Sequence, residues 1–272
     1  MPELPEVETI KNNLLPHLPG RRIIDIELRW KQAVKQPSPD EFRQYLIGQT
    51  ILGIRRRGKY LLLSLKKGDT LIIHLRMSGS LLLRPAGFEP ERFTRTIFFL
   101  DNNMELRFRD VRKLGVLYLV KDELSVIGKL GPEPLEPEFT SKSLKTQLAG
   151  HSASIKAILV DQMIIAGIGN MYADEILHAS QIHPLRATNS LSDKEIKRMY
   201  KAIVDILESA IVHNGATIRD YIDPSGQSGN AQSFFCVAHR LNQPCPTCTT
   251  PITRILVRGR GTYFCPMCQT VK

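Results

Sequence analysis

The chain has 272 residues, 42% hydrophobic and 24% charged, enough for two domains with their own cores and unlike a disordered sequence. Lys and Arg number 37 against 27 Asp and Glu, and the resulting net charge of +10 with a pI near 9.5 is the electrostatic footprint of a polyanion binder. No run approaches the roughly 20 apolar residues of a membrane span, and the acidic, proline-bearing start lacks the basic and apolar regions of a signal peptide; the expectation is a soluble, cytoplasmic protein without membrane contact, in a reducing compartment where paired cysteines hold metal.

The chain opens MPELPEVE. Pro5 suits the first turn of a helix, where its missing N–H costs nothing, and Glu6 and Glu8 favour the positive end of the helix dipole. Pro2 and Glu3 gain no explanation from that. Val7, Ile10, Leu14 and Leu18 follow at helical spacing, with Gly20 as a stop. From Arg22 to Val120 the pattern becomes short β-type runs, IIDIELRW, QTILGIRRRGKYLLLSL, TLIIHLRMSGSLLL, RTIFFLD, MELRFRD and LGVLYLV, with KKGD and DNN as turns, which predicts an antiparallel sandwich or barrel. Within it Lys59 sits beside a run of leucines. HLRMSG and FRDVRKLG place His74, Arg76, Met77, Arg112 and Lys113 in or beside turns, a mixture of basic and apolar protrusions suited to gripping a nucleic-acid backbone while wedging apart a base step.

KLGPEPLEPEFTS, rich in proline and glycine, reads as an interdomain linker over residues 129–140. Beyond it the period is helical. SIKAILVDQM sets Ile155, Ile158, Leu159 and Met163 on one face. In LSDKEIKRMYKAIVDILESAIVHNG, Ser192 and Glu195 form a capping box, Ile196, Met199, Ile203, Leu207 and Ile211 form the apolar stripe, and Gly215 is the expected C-terminal cap. In AGIGNMYADEIL, Gly167 and Gly169 make a turn that leads through Asn170 into a helix N-terminus, where backbone N–H groups can bind phosphate and Lys156 adds a cation.

Cys245, Cys248, Cys265 and Cys268 form CxxC, sixteen residues, CxxC, the spacing of a four-thiolate site for one structural Zn2+. The strands between them are too short to fold without such a staple. Their turn, VRGRGT, presents Arg258 and Arg260 between glycines, guanidinium forks suited to phosphate. Cys236 lies outside the pattern and is expected to be a packed thiol.

The ends of the chain can then be read together. Loss of Met1 is expected when a small residue follows, and it would expose Pro2 as a secondary amine of pKa about 7.7 to 8.0, partly unprotonated near neutrality. Attack of that amine on a sugar C1′ expels the base and gives an iminium ion, which has no N–H proton to shed and so acidifies the neighbouring carbon for elimination. Glu3 is placed to deliver the proton that opens the sugar ring.

The set PELPEVE, RRGKYL, HLRMSGSL, DVRKLG, GIGNMYADEIL and GRGTYFCPMCQ resembles the formamidopyrimidine-DNA glycosylase family, also called 8-oxoguanine DNA glycosylase, in the wider group with endonuclease VIII, over essentially the whole chain. The resemblance implies a bifunctional monomer that acts on duplex DNA containing oxidised bases or abasic sites, an N-glycosylase with β,δ-lyase activity. It implies Pro2 as Schiff-base nucleophile, Glu3 as proton donor, Lys59 as the acid and phosphate contact for β-elimination, and Arg260 for δ-elimination. Asn170 and Lys156 would grip phosphates around a flipped nucleotide, Met77 and Arg112 would fill the gap left in the duplex, and Glu6 and His74 would line the same cleft.

The implied fold class is α+β: an N-terminal antiparallel β-sandwich with flanking helices (1–128), the linker (129–140), a helix-two-turn-helix DNA-binding domain (141–232) and a zinc finger (233–272). The sequence departs from the family pattern at Leu114, where many members carry a phenylalanine wedge, at Phe93, where a DNA-contacting histidine is common, at Ser152, where many have Lys or Arg, and in CVAHRLNQPC ahead of the zinc cysteines. Two other readings compete. One is endonuclease VIII-type specificity for oxidised pyrimidines; the other is a non-catalytic zinc-dependent nucleic-acid binder, which would have no use for Pro2 followed by Glu3.

Overall fold

The computed structural model describes residues 2–271. The expected removal of Met1 concerns a residue outside these. The chain forms two compact units, one made of residues up to Lys129 together with His213–Gln232, the other of Leu130–Val212 together with Ser233 onward.

In the first unit α1 (Leu4–Leu14) starts with Pro5 in its first turn, as the sequence predicts, and buries Val7, Ile10 and Leu14. The strands are β1 (Ile23–Leu28), β2 (Val34–Gln36), β3 (Ile51–Arg57), β4 (Tyr60–Leu65), β5 (Thr70–His74), β6 (Gly79–Pro85), β7 (Thr94–Leu100), β8 (Met104–Asp110) and β9 (Val116–Val120). They form a four-stranded sheet in the order β1-β7-β8-β6 and a five-stranded sheet in the order β2-β9-β5-β4-β3. All pairings are antiparallel except β2 with β9, which is parallel. One core joins both sheets: Ile26, Leu81, Phe98 and Phe108 come from the first, and Ile54, Leu63, Ile73 and Leu117 from the second. The two layers are a sandwich with a shared apolar interior.

A helix absent from the periodicity reading, α2 (Pro39–Leu46), packs Phe42 and Leu46 into the same core. Its signal is local: Ser38 and Glu41 exchange hydrogen bonds as a capping box, and Pro39 opens the helix. A single turn, α3 (Leu124–Ile127), ends this part of the chain.

The second unit contains α4 (Ser141–Leu148), α5 (Ile155–Leu159), α6 (Asn170–Ala179), α7 (Asp193–Val212) and the hairpin β10 (Thr253–Val257) and β11 (Arg260–Phe264). In α7 the Ser192/Glu195 box is present, and Ile196, Met199, Ile203 and Leu207 are buried as the stripe predicts, with Ile211 half-buried. The helix stops through Asn214 and Gly215, both at positive φ, so Asn214 already takes the left-handed position expected of Gly215. Another correction falls on α5, which ends at Leu159. The turn after it leaves Met163 64% exposed instead of on the apolar face.

By packing, residues 213–232 belong to the first compact unit and the 129–140 stretch largely to the second. Residues 213–232 pack with the sandwich: Ala216 N–H donates to Glu6 at 2.7 Å, Leu83 N–H to the Pro224 carbonyl at 3.0 Å, and Asn13 to Asp223 at 3.1 Å. The 129–140 stretch is no free linker either. The Gly131 N–H donates to Gln162 and the Ala166 N–H to the Pro132 carbonyl, so it is built into the second unit. No helix among the described residues is long and apolar enough to cross a membrane.

Candidate active site and nucleic-acid interface

In the first unit Pro2 is buried, and Glu3, also buried, is the N-cap of α1. The Glu3 N–H donates to Glu6 at 2.7 Å, and the other Glu6 oxygen accepts from Ala216 N–H at 2.7 Å. Glu6 is thus fully buried and bridges the start of α1 to the returning segment. The approach is close: a Cβ on Gly215 would lie 2.8 Å from Glu6 Cγ.

Lys59 lies in the two-residue loop joining β3 to β4, where Gly58 takes φ +55 at the first position, the pattern of a type II′ hairpin turn. The Lys59 side chain is only 6% exposed. Arg56 fastens this turn to α1: its Nε donates to Glu8 at 2.7 Å and its Nη1 to the Gly58 carbonyl at 3.1 Å. Burial alone would raise the Glu8 carboxyl, but Lys11 and Arg56 outweigh it and hold the group below its usual range. Arg56 and Glu8 both fall within the quoted motifs, but their pairing is not legible there, because it exists only once helix and hairpin meet.

His74, at the end of β5, is opposite Tyr60 in register and packs edge-to-face on its ring at 4.4 Å. Its Nδ1 accepts the Arg76 N–H at 2.9 Å, which leaves the proton on Nε2. Burial, together with the nearby charges of Arg76 and Lys59, lowers its pKa from 6.5 to about 3. It is a neutral donor at physiological pH.

Two turns meet at the sheet ends beyond His74. Asp110 accepts from Ser78 Oγ at 2.6 Å, from the Leu114 and Gly115 N–H groups at 2.7 Å each, and from the Arg112 N–H at 3.1 Å. One carboxylate therefore fixes the Val111–Gly115 loop against the Met77–Gly79 turn. Arg112 Nη1 lies 3.3 Å from Met77 Sδ, and Met77 and Leu114 are 43% and 42% exposed. Met77 and Arg112 were legible in the sequence as protruding side chains; Asp110 and Ser78, which hold them, were not. An Asp just ahead of a turn was the available signal.

In the second unit Asn170 is the first residue of α6, after Gly167 at φ +87. Its Nδ2 donates to the Gly261 carbonyl of the hairpin at 2.8 Å, while its Oδ1 is buried with no hydrogen-bond partner among the described residues. Lys156 is 1% exposed, and its ammonium donates to the Asn170 carbonyl at 2.6 Å and to Asp174 at 2.5 Å. It lines a cavity of about 410 Å³ together with Val160, Gln162, Val257, Arg258 and Arg260, among others. Arg258 at φ +46 and Gly259 at φ +74 form the two-residue hairpin loop, the backbone of a type I′ turn, and both arginines project outward.

The sulfurs of Cys245, Cys248, Cys265 and Cys268 all lie within 4.8 Å of one another, at 3.9 Å for Cys245 to Cys268 and 3.4 Å for Cys248 to Cys265. A tetrahedral zinc with Zn–S bonds of about 2.3 Å sets its sulfurs roughly 3.8 Å apart, so the donor set fits one structural Zn2+. His178 Nε2 is 3.4 Å from Cys245 Sγ, and Glu175, on the same helix, accepts the N–H groups of Cys236, Val237 and Ala238 at 2.7 to 2.9 Å, anchoring the segment that enters the finger. The Cys236 thiol, half-buried and next to Glu175, is pushed up to about 11 by burial and by that carboxylate, consistent with an unreactive packed thiol.

Three sequence profiles match the chain: the formamidopyrimidine-DNA glycosylase N-terminal domain over residues 1–117, the formamidopyrimidine-DNA glycosylase H2TH domain over 130–221, and the zinc finger found in FPG and IleRS over 242–271. The chain is 45% identical to the formamidopyrimidine-DNA glycosylase of Pelotomaculum thermopropionicum, with all of both chains covered, and 43% identical to that of Listeria monocytogenes over 99% of this chain and all of the other. Among solved structures, a Lactococcus lactis FPG mutant in complex with Fapy-dG-containing DNA matches with a TM-score of 0.93 at 35% identity. The Lactococcus lactis Fpg complex with abasic-site DNA gives 0.92 at 34%. Each match covers 99% of this chain and all of the other.

Proposed function

Because this chain belongs to the formamidopyrimidine-DNA glycosylase family, and so is a DNA glycosylase acting on damaged bases, we propose that it excises oxidised purines, 8-oxoguanine and formamidopyrimidines, through a Schiff base at Pro2 and then cleaves the abasic strand by β,δ-elimination. The Pro2 amine attacks C1′, the base departs, and Glu3 protonates the ring oxygen as the sugar opens. The resulting iminium ion draws electrons from C2′, a proton leaves that carbon, and the 3′ phosphate departs with Lys59 as acid and phosphate contact. A second elimination, served by Arg260, releases the 5′ phosphate.

The observation that carries this reading is the seating of Pro2 and Glu3 at a capped helix start, braced by Glu6 and, through Glu8 and Arg56, tied to the turn that carries Lys59. A pure binder would have no need for Pro2 followed by Glu3. His74, neutral with its Nε2 proton available, donates to a phosphate, and Met77 with Arg112 and Leu114 fills the space of the extruded nucleotide. In the second unit Arg258, Arg260 and Asn170 contact the backbone of the same DNA. Lys156 acts through Asn170, since its ammonium is engaged inside the fold. Zinc, when bound, supplies no chemistry to the reaction; it holds the hairpin that presents Arg258 and Arg260.

The test is a panel of duplexes carrying 8-oxoguanine, a formamidopyrimidine or an oxidised pyrimidine, read for released base and for strand ends. The expected result is preferential purine-lesion excision with a phosphate at both ends of the gap. For Arg260→Ala, a shift toward products of β-elimination alone is expected, with zinc content unchanged because the cysteines remain. Preferential pyrimidine-lesion excision would establish endonuclease VIII-type specificity instead.

A further inference from the structure

His178 lies on α6 inside the helical unit, 6% exposed, with its Nε2 3.4 Å from Cys245 Sγ. It is not one of the four metal donors, whose sulfurs cluster without it. A Zn2+ held by four thiolates keeps a surplus of negative charge, and Cys245 and Cys265, 1% and 0% exposed, hold their share of it away from water. Hydrogen bonds to the sulfurs relieve that surplus. Cys248 accepts from the Thr250 hydroxyl and N–H, and Cys265 from the Met267 and Cys268 N–H groups, donors that all belong to the finger itself. The imidazole facing Cys245 comes instead from a helix 67 positions earlier.

We propose that His178 is an outer-sphere partner of the finger's zinc: its Nε2–H donates to the Cys245 thiolate and strengthens retention of the metal. A neutral imidazole carries one proton, and a thiolate bound to zinc can only accept, so the contact fixes that proton on Nε2. The helix is built to aim it. Asn170, Asp174 and His178 fall four residues apart on one face of α6. Asn170 Nδ2 donates to the Gly261 carbonyl at 2.8 Å, Asp174 accepts the Tyr263 N–H at 3.1 Å, and His178 reaches Cys245. Glu175 holds the chain entering the finger by three further N–H groups. The first metal-binding cysteine is thereby fastened to the helix through the ring of one side chain.

Zinc affinity is measured on the full-length protein by competition with a zinc-binding dye. His178→Phe keeps a buried ring and removes the donor, whereas His178→Gln removes the ring and keeps an N–H at similar reach. Loss of an outer-sphere partner weakens a metal site about 10-fold to 100-fold. That loss is expected for the Phe variant, with the Gln variant close to the parent. The same pair is read in cobalt-substituted protein. A hydrogen bond lowers the energy of the sulfur lone pairs, so the sulfur-to-cobalt charge-transfer band should move to longer wavelength in His178→Phe and stay in place in His178→Gln. In wild-type protein loaded with an NMR-active cadmium isotope, the His178 Nε2 proton should show scalar coupling to the metal through the sulfur, which keeps the test decisive if either variant misfolds.

An affinity and a charge-transfer band unchanged in His178→Phe would overturn the proposal. So would equal loss in both variants, or loss confined to His178→Gln, either of which would reduce the ring to packing against the finger. In the wild-type protein, an Nε2 without a proton, or with a proton that shows no coupling to cadmium, would contradict the hydrogen bond directly. A nitrogen found in the zinc coordination shell by X-ray absorption would make His178 a ligand and overturn its outer-sphere role.

Discussion

His74 is the residue where charge state and role are most tightly linked. An imidazole that has surrendered its Nδ1 lone pair to the Arg76 N–H and lies against Tyr60 can only donate through Nε2, and a pKa lowered to about 3 keeps it neutral across the working range. The unfolded imidazole, near 6.5, takes up a proton that the folded one refuses. The unfolded state therefore binds more protons between about pH 3 and 6.5; the contribution to stability is fully present above 6.5 and is lost as pH falls through that window. Between pH 7 and 4.5 this one group should cost about 2 kcal/mol. Urea titrations at the two pH values should show His74→Gln losing less stability than the parent by about that amount, and an equal loss in both proteins would place the acid sensitivity elsewhere.

At the scale of elements, functional side chains are held by loops whose geometry is closed by buried polar anchors. The Asp110 carboxylate satisfies three backbone N–H groups and the Ser78 hydroxyl at once, and the glycines beside it permit the close approach: a Cβ on Gly79 would lie 2.4 Å from the Leu75 carbonyl oxygen, and one on Gly115 2.3 Å from Phe108 Cζ. Replacing one oxygen by an amide turns an acceptor into a donor facing donors. Asp110→Asn should cost about 2 to 3 kcal/mol in chemical unfolding and weaken binding to abasic-site duplex more than to undamaged duplex, because the wedge loses its support. Unchanged stability and an unchanged affinity ratio would remove Asp110 from this role. In the zinc hairpin the corresponding anchors are the four thiolates below the Arg258–Gly259 turn and Asn170 beside it.

Across the whole molecule, legibility in the sequence followed the range of the interactions. The capping box of α7, the KKGD and DNN turns, the VRGRGT hairpin turn and the CxxC pairs are local patterns, and each appears where the residues predicted it, whereas the turn at Gly58–Lys59 divides QTILGIRRRGKYLLLSL, read as one β-type run, into β3 and β4. The packing of residues 213–232 on the sandwich was not legible, because it is set by partners more than 100 positions away: Glu6, Asn13 and Arg84. The parts of Arg56, Glu8 and Asp174 arise only from packing, through partners 18 to 89 positions away that a motif does not show. Packing also gave Lys156 and Glu6 their buried positions, where motif reading had expected groups directed at a ligand. Pro2 and Glu3, by contrast, stood out in the sequence because helix-start chemistry left them without a role.

The account depends on a covalent bond from the Pro2 nitrogen to deoxyribose. Incubation with duplex carrying an abasic site, reduction with borohydride and peptide mapping by mass spectrometry should locate the reduced sugar on a peptide that begins with Pro2, and prior acetylation of the terminal amine should abolish it. A sugar remnant on Lys59 or another lysine, or strand cleavage with no adduct at all while the terminus is free, would contradict the mechanism.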